Sequence, residues 1–567
     1  MYPRQAPSTL RQSTPTGPAT MRTHHLGAHP IVQNFLERMN VADIIRSCVG
    51  GSRERDVDHG QSIGVLVHNL VQSPGPMYRV GDWAAPLEAH VLGLTPGQKA
   101  LINDDRIGRA LDALASERGR SIFFRLALRT IKQFNLDTSR IHQDTTTVTF
   151  PGRYASSRTS PVITFGHNKD YRPDLKQLVF GLNVVADGAV PVSHQVHSGN
   201  RSDDSIHLGN VEELRQILGR DDFIYVADCK LCTTQNLRAI HGYGGKFVTV
   251  LPRSRKEDMS FRASLRLREK PPRWKVILRI PNGRRQAEPP DLYSSCAGPS
   301  RTDDGFRLVW IRSAQKADQD AEIRKNNLRQ AELDLARLSA GLNRRHLKKR
   351  GIVKEKIRTI LKRYKVESWL KVTLHEYDEV STRHIGAGRP RPDAPVRKIH
   401  TRKLRLHVKR DEEALRREAH TDGVFPLITD LERTSKRDLL LIYKYQPYVE
   451  KRFAQIKSEH EIAPVYLKKP QRVAGLLHAN FIALSVAALI ERQVRKGMLQ
   501  RNIEELPLLP EGRMTATPTA ARILEAFTNT SWHEFERGAE TVAFPIKLSG
   551  LQHQLLDLLE VPHTLYT

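Results

Sequence analysis

Three acidic residues stand where a carboxylate is costly. Asp144 lies inside "RIHQDTTTVTF" (140–150), a run rich in threonine and other β-branched residues that favours a strand. Asp228 follows the apolar core of "DFIYVADCK" (222–230). Glu450 is the one acid in "YKYQPYVEKRFAQIK" (443–457), among aromatic, amide and basic side chains. A carboxylate in such surroundings costs free energy unless it is paired, hydrogen-bonded or metal-bound. Each aspartate alone also fits a turn or capping residue, and Glu450 alone fits a solvated helix face. Together they are three hard oxygen ligands, two at strands and one on a helix, the donor set of Mg²⁺ or Mn²⁺. Two such ions, about 3.5–4 Å apart, activate water and stabilise the leaving oxygen of a phosphodiester.

The neighbours of Glu450 extend this chemistry. Read as one helix at roughly 100° per residue, Tyr443, Gln446, Glu450 and Lys457 fall within about 60° of one another. Pro447 is expected in the first turn, where its missing N–H costs least. The stripe offers a ring, an amide and an ammonium beside the carboxylate, groups that hold phosphates next to a metal.

These residues need a scaffold. Residues 27–136 read as a helical N-terminal domain, with Ile31, Phe35, Met39 and Ile44 at helical spacing. The period then changes to that of strands, at 140–150, twice in 177–197 around Asp187-Gly188, at 222–230 and at 246–252, with a helix at 203–219. That order predicts a mixed α/β sheet covered by helices, the first part of a core over 137–252. A charged, irregular stretch, 253–437, reads as an insertion. It holds a Pro/Arg-rich segment (267–292), a strand at 306–314, basic helices over 318–365, strands at 369–377 and 404–411, and a Gly/Pro/Arg linker at 385–398. The core resumes over 438–500 and a C-terminal region, 501–567, follows. "VAGLLHANFIALSVAALI" (473–490) is near membrane length, but its Gly475, His478, Asn480 and Ser485 fit a buried core helix better.

The 567 residues carry 90 Lys and Arg against 62 Asp and Glu, a formal net charge of +28, which points to a polyanionic partner such as nucleic acid. The basic helices are candidates for that contact or for a solvated arm. Four cysteines make no disulfide framework, and Cys229-x2-Cys232 lacks the second pair a zinc site needs. Residues 1–26 have no signal-peptide pattern and read as a disordered tail. The expected location is the cytoplasm, with the nucleoid. His142 shares a strand face with Asp144 and reads as a packed histidine, while His194 and His197 read as strand surface.

In this order the segments resemble a DDE transposase of bacterial insertion sequences, of the type with a Y(2)R(3)E(6)K signature. "IHQDTTTVTF" resembles its first-aspartate strand, "FIYVADCKLCTTQNL" (223–237) its second, and 166–205 the segment between. "NDDRIGRALD" is similar to the end of the helical N-terminal domain in one branch. Tyr443, Glu450 and Lys457 fall at the family spacing, but the arginine position is Gln446, which has no charge and no guanidinium fork. The resemblance implies an RNase H-like core with an insertion domain between the second aspartate and the glutamate. It implies Asp144, Asp228 and Glu450 as catalytic ligands of two Mg²⁺ or Mn²⁺ ions, and Tyr443, Gln446 and Lys457 as DNA contacts. It implies double-stranded DNA, the terminal inverted repeats and target, as partner, and a homodimer in the synaptic complex. Residues 27–136 are then the candidate reader of the DNA end. The alternative function is a decayed or repurposed transposase that binds DNA without cutting.

Overall fold

A computed structural model describes residues 19–50, 57–152, 154, 161–169, 172–281, 289–385, 395–460, 467–537 and 540–566. The chain is α/β and forms two compact units, 1–249 with 441–567, and 250–440. The expected insertion, 253–437, falls within the second. The helices of the expected N-terminal domain, His29–Arg38 through Gly119–Phe134, belong to the same compact unit as the strands that follow.

In the first unit the strands are, in chain order, β1 (Ala19–His25), β2 (Arg140–Phe150), β3 (Lys176–Val185), β4 (Pro191–Ser198), β5 (Ile224–Val226) and β6 (Lys246–Val250). Five of them lie side by side as β4-β3-β2-β5-β6. β2, β3 and β4 are antiparallel, and β5 and β6 run parallel to β2. The β3–β4 hairpin turns at Asp187-Gly188, where Gly188 and Ala189 both have positive φ (80° and 52°). The helix His207–Leu218 provides the crossover from β4 to parallel β5. β2 is central, and most of its side chains are buried on both faces.

The helix Pro470–Gln500 is long and apolar enough to cross a membrane, yet it is buried for most of its length in this unit. It packs on the helix Asp104–Leu114 at close range. Gly475 makes that approach possible, since a Cβ there would lie 2.3 Å from the Leu111 carbonyl oxygen.

The second unit places β7 (Lys275–Ile280), β8 (Asp291–Ser295), β9 (Arg307–Ser313) and β12 (Val424–Thr429) in the order β12-β9-β8-β7. β7 lies in the Pro/Arg-rich segment expected to be irregular. Between β9 and β12 come the helices Ala314–Ala340 and Arg350–Tyr364 and a separate two-stranded ribbon, β10 (Leu370–His384) with β11 (Val396–Arg410). Leu328, Leu335, Val353, Ile357, Leu370 and Leu404 close a small core between the helices and the ribbon's base.

The C-terminal region adds β13 (Ser531–Arg537) and β14 (Glu540–Phe544) to the first unit. β1 pairs with β13 along its length, from Ala19↔Arg537 to His25↔Ser531. The expectation of a disordered tail over 1–26 is therefore corrected for 19–25, which a partner strand some 500 residues away orders. Residues 1–18 lie outside the described residues.

Candidate active site

The sheet register brings the two aspartates together. β2 and β5 pair as Arg140↔Ile224, Ile141↔Tyr225 and His142↔Val226. Asp144 and Asp228 each lie two residues beyond the last of these pairs, and the Asp228 charge acts on the Asp144 carboxyl. β5 ends at Val226, so Asp228 stands in the turn beyond it. Its carboxylate accepts from the Lys230 N–H (2.9 Å) and caps the short Cys229–Leu231 turn, while its carbonyl accepts from the Thr249 hydroxyl of β6 (2.6 Å). The Cys-x2-Cys pair sits in the turn after Asp228, and neither cysteine is in a disulfide.

Glu450 reaches the same place by a route that differs from the single helix expected. One helix ends at Tyr443 and a second runs from Pro447 to Ala454. Between them the bonds tighten to i→i−3, with the N–H groups of Gln446, Tyr448 and Val449 bonding Tyr443, Tyr445 and Gln446. Pro447 is the cause, because it lacks an N–H and its ring clashes with the carbonyl four residues back. Downstream, Gln455–Glu459 is a π-helix, closed by the His460 N–H to the Gln455 carbonyl (2.9 Å). The 100° step holds across neither irregularity, so the four-residue stripe is not one helical face. Lys457 lies half-buried in the π segment.

Gln446 is the largest departure. The resemblance implies a DNA contact, yet its side chain is buried at 7% exposure. Its amide nitrogen donates to the Gln143 carbonyl (2.6 Å), and its amide oxygen lies 3.2 Å from His142 Nδ1. Both ends of the amide are thus used against β2, and Gln446 positions the helix instead of facing a ligand. His142 and Asp144 share one face of β2. With Gln446 on His142, Glu450 one turn later comes opposite Asp144. Arg452 fixes the other side of the helix. It donates to the carbonyls of Ala189 and Gly188 (3.0 Å each) and pairs with Glu491 (3.0 Å), both side chains at 5% exposure.

The electrostatics report the cluster. Burial pushes the Asp144 carboxyl up to about 6, and the charges of Asp228 and Glu450 push the same way. The Lys169 ammonium, 3.7 Å away, and the Thr145 N–H, at 2.7 Å, pull it down. Burial also raises the Tyr443 phenol, and after it the charges of Asp228, Cys229, Asp144 and Glu450, so this ring faces the same carboxylates. Lys169 was not singled out in the sequence, although it lies in the family-like segment 166–205. Its ammonium donates to the Thr145 carbonyl (2.7 Å) and hydroxyl (2.8 Å), next to Asp144.

Among the described residues no group of three or more His, Cys, Asp or Glu side chains converges on one point as a metal cage. The donor set still suits a hard divalent cation in its chemistry, with like charges crowded together and a lysine as the nearby counter-charge.

Residues 21–128 match the family described as Domain of unknown function (DUF4277). No match was found among curated proteins. Among solved structures the chain is similar to the cryo-EM structure of a piggyBac transposase synaptic complex with hairpin DNA. That likeness has a TM-score of 0.36 and 9% identity, covering 84% of this chain and 78% of that one.

Proposed function

We propose that this chain is a transposase of the insertion-sequence, Y(2)R(3)E(6)K type, which cleaves DNA strands at element ends and joins the freed 3′-hydroxyl to target DNA. The observation that carries the reading is the meeting of Asp144, Asp228 and Glu450. Asp228 and Glu450, the latter 306 positions away in sequence, both act on the Asp144 carboxyl at the places the resemblance names. The sheet of three antiparallel and two parallel strands, with an aspartate at the join, is the scaffold an RNase H-like core would need.

Asp144, Asp228 and Glu450 would hold two Mg²⁺ or Mn²⁺ ions, which supply Lewis-acid activation of water and charge neutralisation at the phosphodiester. The chain's own residues do the rest. Gln446 and Arg452 hold the Glu450 helix against β2 and the β3–β4 turn. The Tyr443 phenol, kept protonated, presents a hydroxyl donor beside the carboxylates. Lys169 balances their charge, and Lys457 stands one π turn further on as a phosphate contact. The proposed partner is double-stranded DNA, the proposed assembly a homodimer that pairs two ends, and the proposed location the cytoplasm.

The test is Mg²⁺-dependent strand cleavage of DNA carrying the element's terminal repeats, wild type beside Glu450→Gln. Cutting by the wild type alone supports the reading. Equal cutting by both removes Glu450 from the site. Binding without cutting by either makes the protein a DNA-binding relic.

A further inference from the structure

The β10–β11 ribbon pairs over fifteen positions, from Leu370↔Arg410 to His384↔Val396. At about 3.3 Å per residue it is about 50 Å long. Side chains of directly paired residues share a face, so the ribbon has two distinct sides. One side is apolar at its base, where Leu370, Val372, Leu374, Leu404, Leu406 and Val408 pack on the two helices. The other carries Lys371, Arg383, Arg397, Lys403, Arg405 and Lys409, and every one but half-buried Lys403 is exposed. Beyond Glu376 and Arg402 both sides of the ribbon face solvent except at Lys403 and Leu404, nearer the base.

The charge on this ribbon is out of balance. Its strands hold nine Lys and Arg against Glu376, Asp378 and Glu379. Glu376 is taken by Arg350 (3.0 Å) and Arg402 (3.9 Å), and Glu379 by Lys403. Lys371 pairs with Asp411 (2.6 Å) and Arg410 with Glu332 (2.6 Å). Among the described residues Arg383, Arg397, Lys398, Arg405 and Lys409 pair with no carboxylate. Arg383 and Arg397 are direct cross-strand partners. Like charges in that position destabilise a sheet, and a two-stranded ribbon is marginal to begin with. Folding therefore gains nothing from these arginines, while a polyanion would.

We propose that the exposed basic side of this ribbon docks along the phosphates lining a groove of duplex DNA. The major groove admits a two-stranded ribbon, and a length of about 50 Å matches about fifteen base pairs at about 3.4 Å each. The inference rests on DNA being the substrate, but not on the carboxylate chemistry. It assigns the second unit a share of DNA binding that the catalytic motif does not supply.

The test uses the full chain, a fluorescent duplex of arbitrary sequence, and EDTA, so that binding is read without cleavage. The triple variant Arg383→Ala, Arg397→Ala, Arg405→Ala should weaken binding at least about tenfold at low salt. Its plot of log K against log salt should be shallower by about 2–3, at ~0.9 per lost phosphate contact. The matching Arg→Lys triple, which keeps the charge, should retain the wild-type slope. Arg405→Ala with Lys409→Ala, near the anchored base, provides a second set should the triple unfold, and should lower the slope by about 2. Unchanged affinity and slope in the folded variants would overturn the proposal. So would unchanged DNA affinity with a shift from dimer to monomer in sedimentation, which would make the ribbon an interface between copies. Failure of the active-site reading is visible separately, as Glu450→Gln protein that still cuts.

Discussion

The carboxylate cluster and the basic ribbon treat charge in opposite ways. At the cluster, three like charges gather beside the central strand β2, and the fold spends contacts to keep them there: Gln446 on β2, Arg452 on the hairpin turn, Lys169 beside Asp144. On the ribbon, five exposed cations pair with no carboxylate among the described residues, and only Arg405 has a ring, Tyr377, beneath it. A charge held in low dielectric changes its own titration and the stability of the fold. A charge held in water changes little until a polyanion arrives, and what it gains then is screened by salt. The cluster should accordingly answer to pH and divalent cations, and the ribbon to ionic strength.

The sharpest way to break that division is to exchange readouts. Glu450→Gln should lower the cleavage rate by about 10³-fold or more, the scale of losing a group that acts on the transition state. Its affinity for duplex DNA and its salt slope should stay at wild-type values. The ribbon triple should do the reverse, binding weakly yet cutting at the wild-type rate when DNA saturates it. A ribbon variant that loses turnover at saturation would show that the two regions are coupled in catalysis.

Next in size is the support of the cluster. Arg452 and Glu491 are a buried pair, and removal of Arg452 leaves Glu491 only Arg495 at 3.6 Å and the carbonyls of Gly188 and Ala189 without their donor. Arg452→Met should cost about 3–5 kcal/mol in chemical denaturation. The arginine also holds the helix that carries Glu450, so metal-dependent cleavage should fall with it. Gln446→Arg, which restores the signature residue, should not raise activity. It forces a longer, charged side chain between His142 and Gln143, and should cost about 1–3 kcal/mol. Higher cleavage by that variant would return this position to the DNA surface.

The division also has a pH signature. Burial depresses His29, His142, His460 and His478 to about 4. These bases are neutral in the fold and take up a proton near 6.5 when unfolded. Their contribution is complete above pH 6.5 and is lost as pH falls from 6.5 toward 4, by up to about 3 kcal/mol per histidine. Thermal melts across that window should show a steep loss. His142→Gln, which removes one such group beside the site, should flatten it.

Much of this arrangement was legible where local pattern and tertiary demand agree. The strands around Asp144 and Asp228 are β-branched or apolar runs, and the Pro470–Gln500 helix shows its burial in its composition. What was hidden depends on partners distant in sequence or on irregular backbone. Ala19–His25 has little strand pattern, and β13 supplies its order. The ribbon reads as two short strands and a linker because its apolar alternation stops at Leu374 and Leu404, where packing on the helices stops, although the pairing continues. The Glu450 segment reads as one helix in the sequence, but a uniform 100° step cannot foresee a break at Pro447 and a π turn at 455–459. The resemblance gave Gln446 a DNA contact, and its burial against β2 depends on His142 and Gln143, some 300 residues away.

The smallest expected effect is the most direct check on the cluster. The Asp144 carboxyl, raised to about 6 from its ordinary 3.8, binds its proton more tightly in the fold than in the unfolded chain. Between those values the native state holds more protons, so stability falls as pH rises through the window, and the cost is complete above about 6. Asp144 is about one-fifth exposed and Lys169 offsets part of the penalty, which leaves about 1–2 kcal/mol at neutral pH. Asp144→Asn should therefore stabilise the protein by about that amount at pH 7.5 without divalent cations, and change nothing at pH 3.5. Added Mg²⁺ should raise the melting temperature of the wild type and leave the variant where it was. A variant less stable than wild type at pH 7.5 would make Asp144 a structural partner of Lys169, and the free-energy cost that marked it in the sequence would have been met by that lysine instead of by a metal.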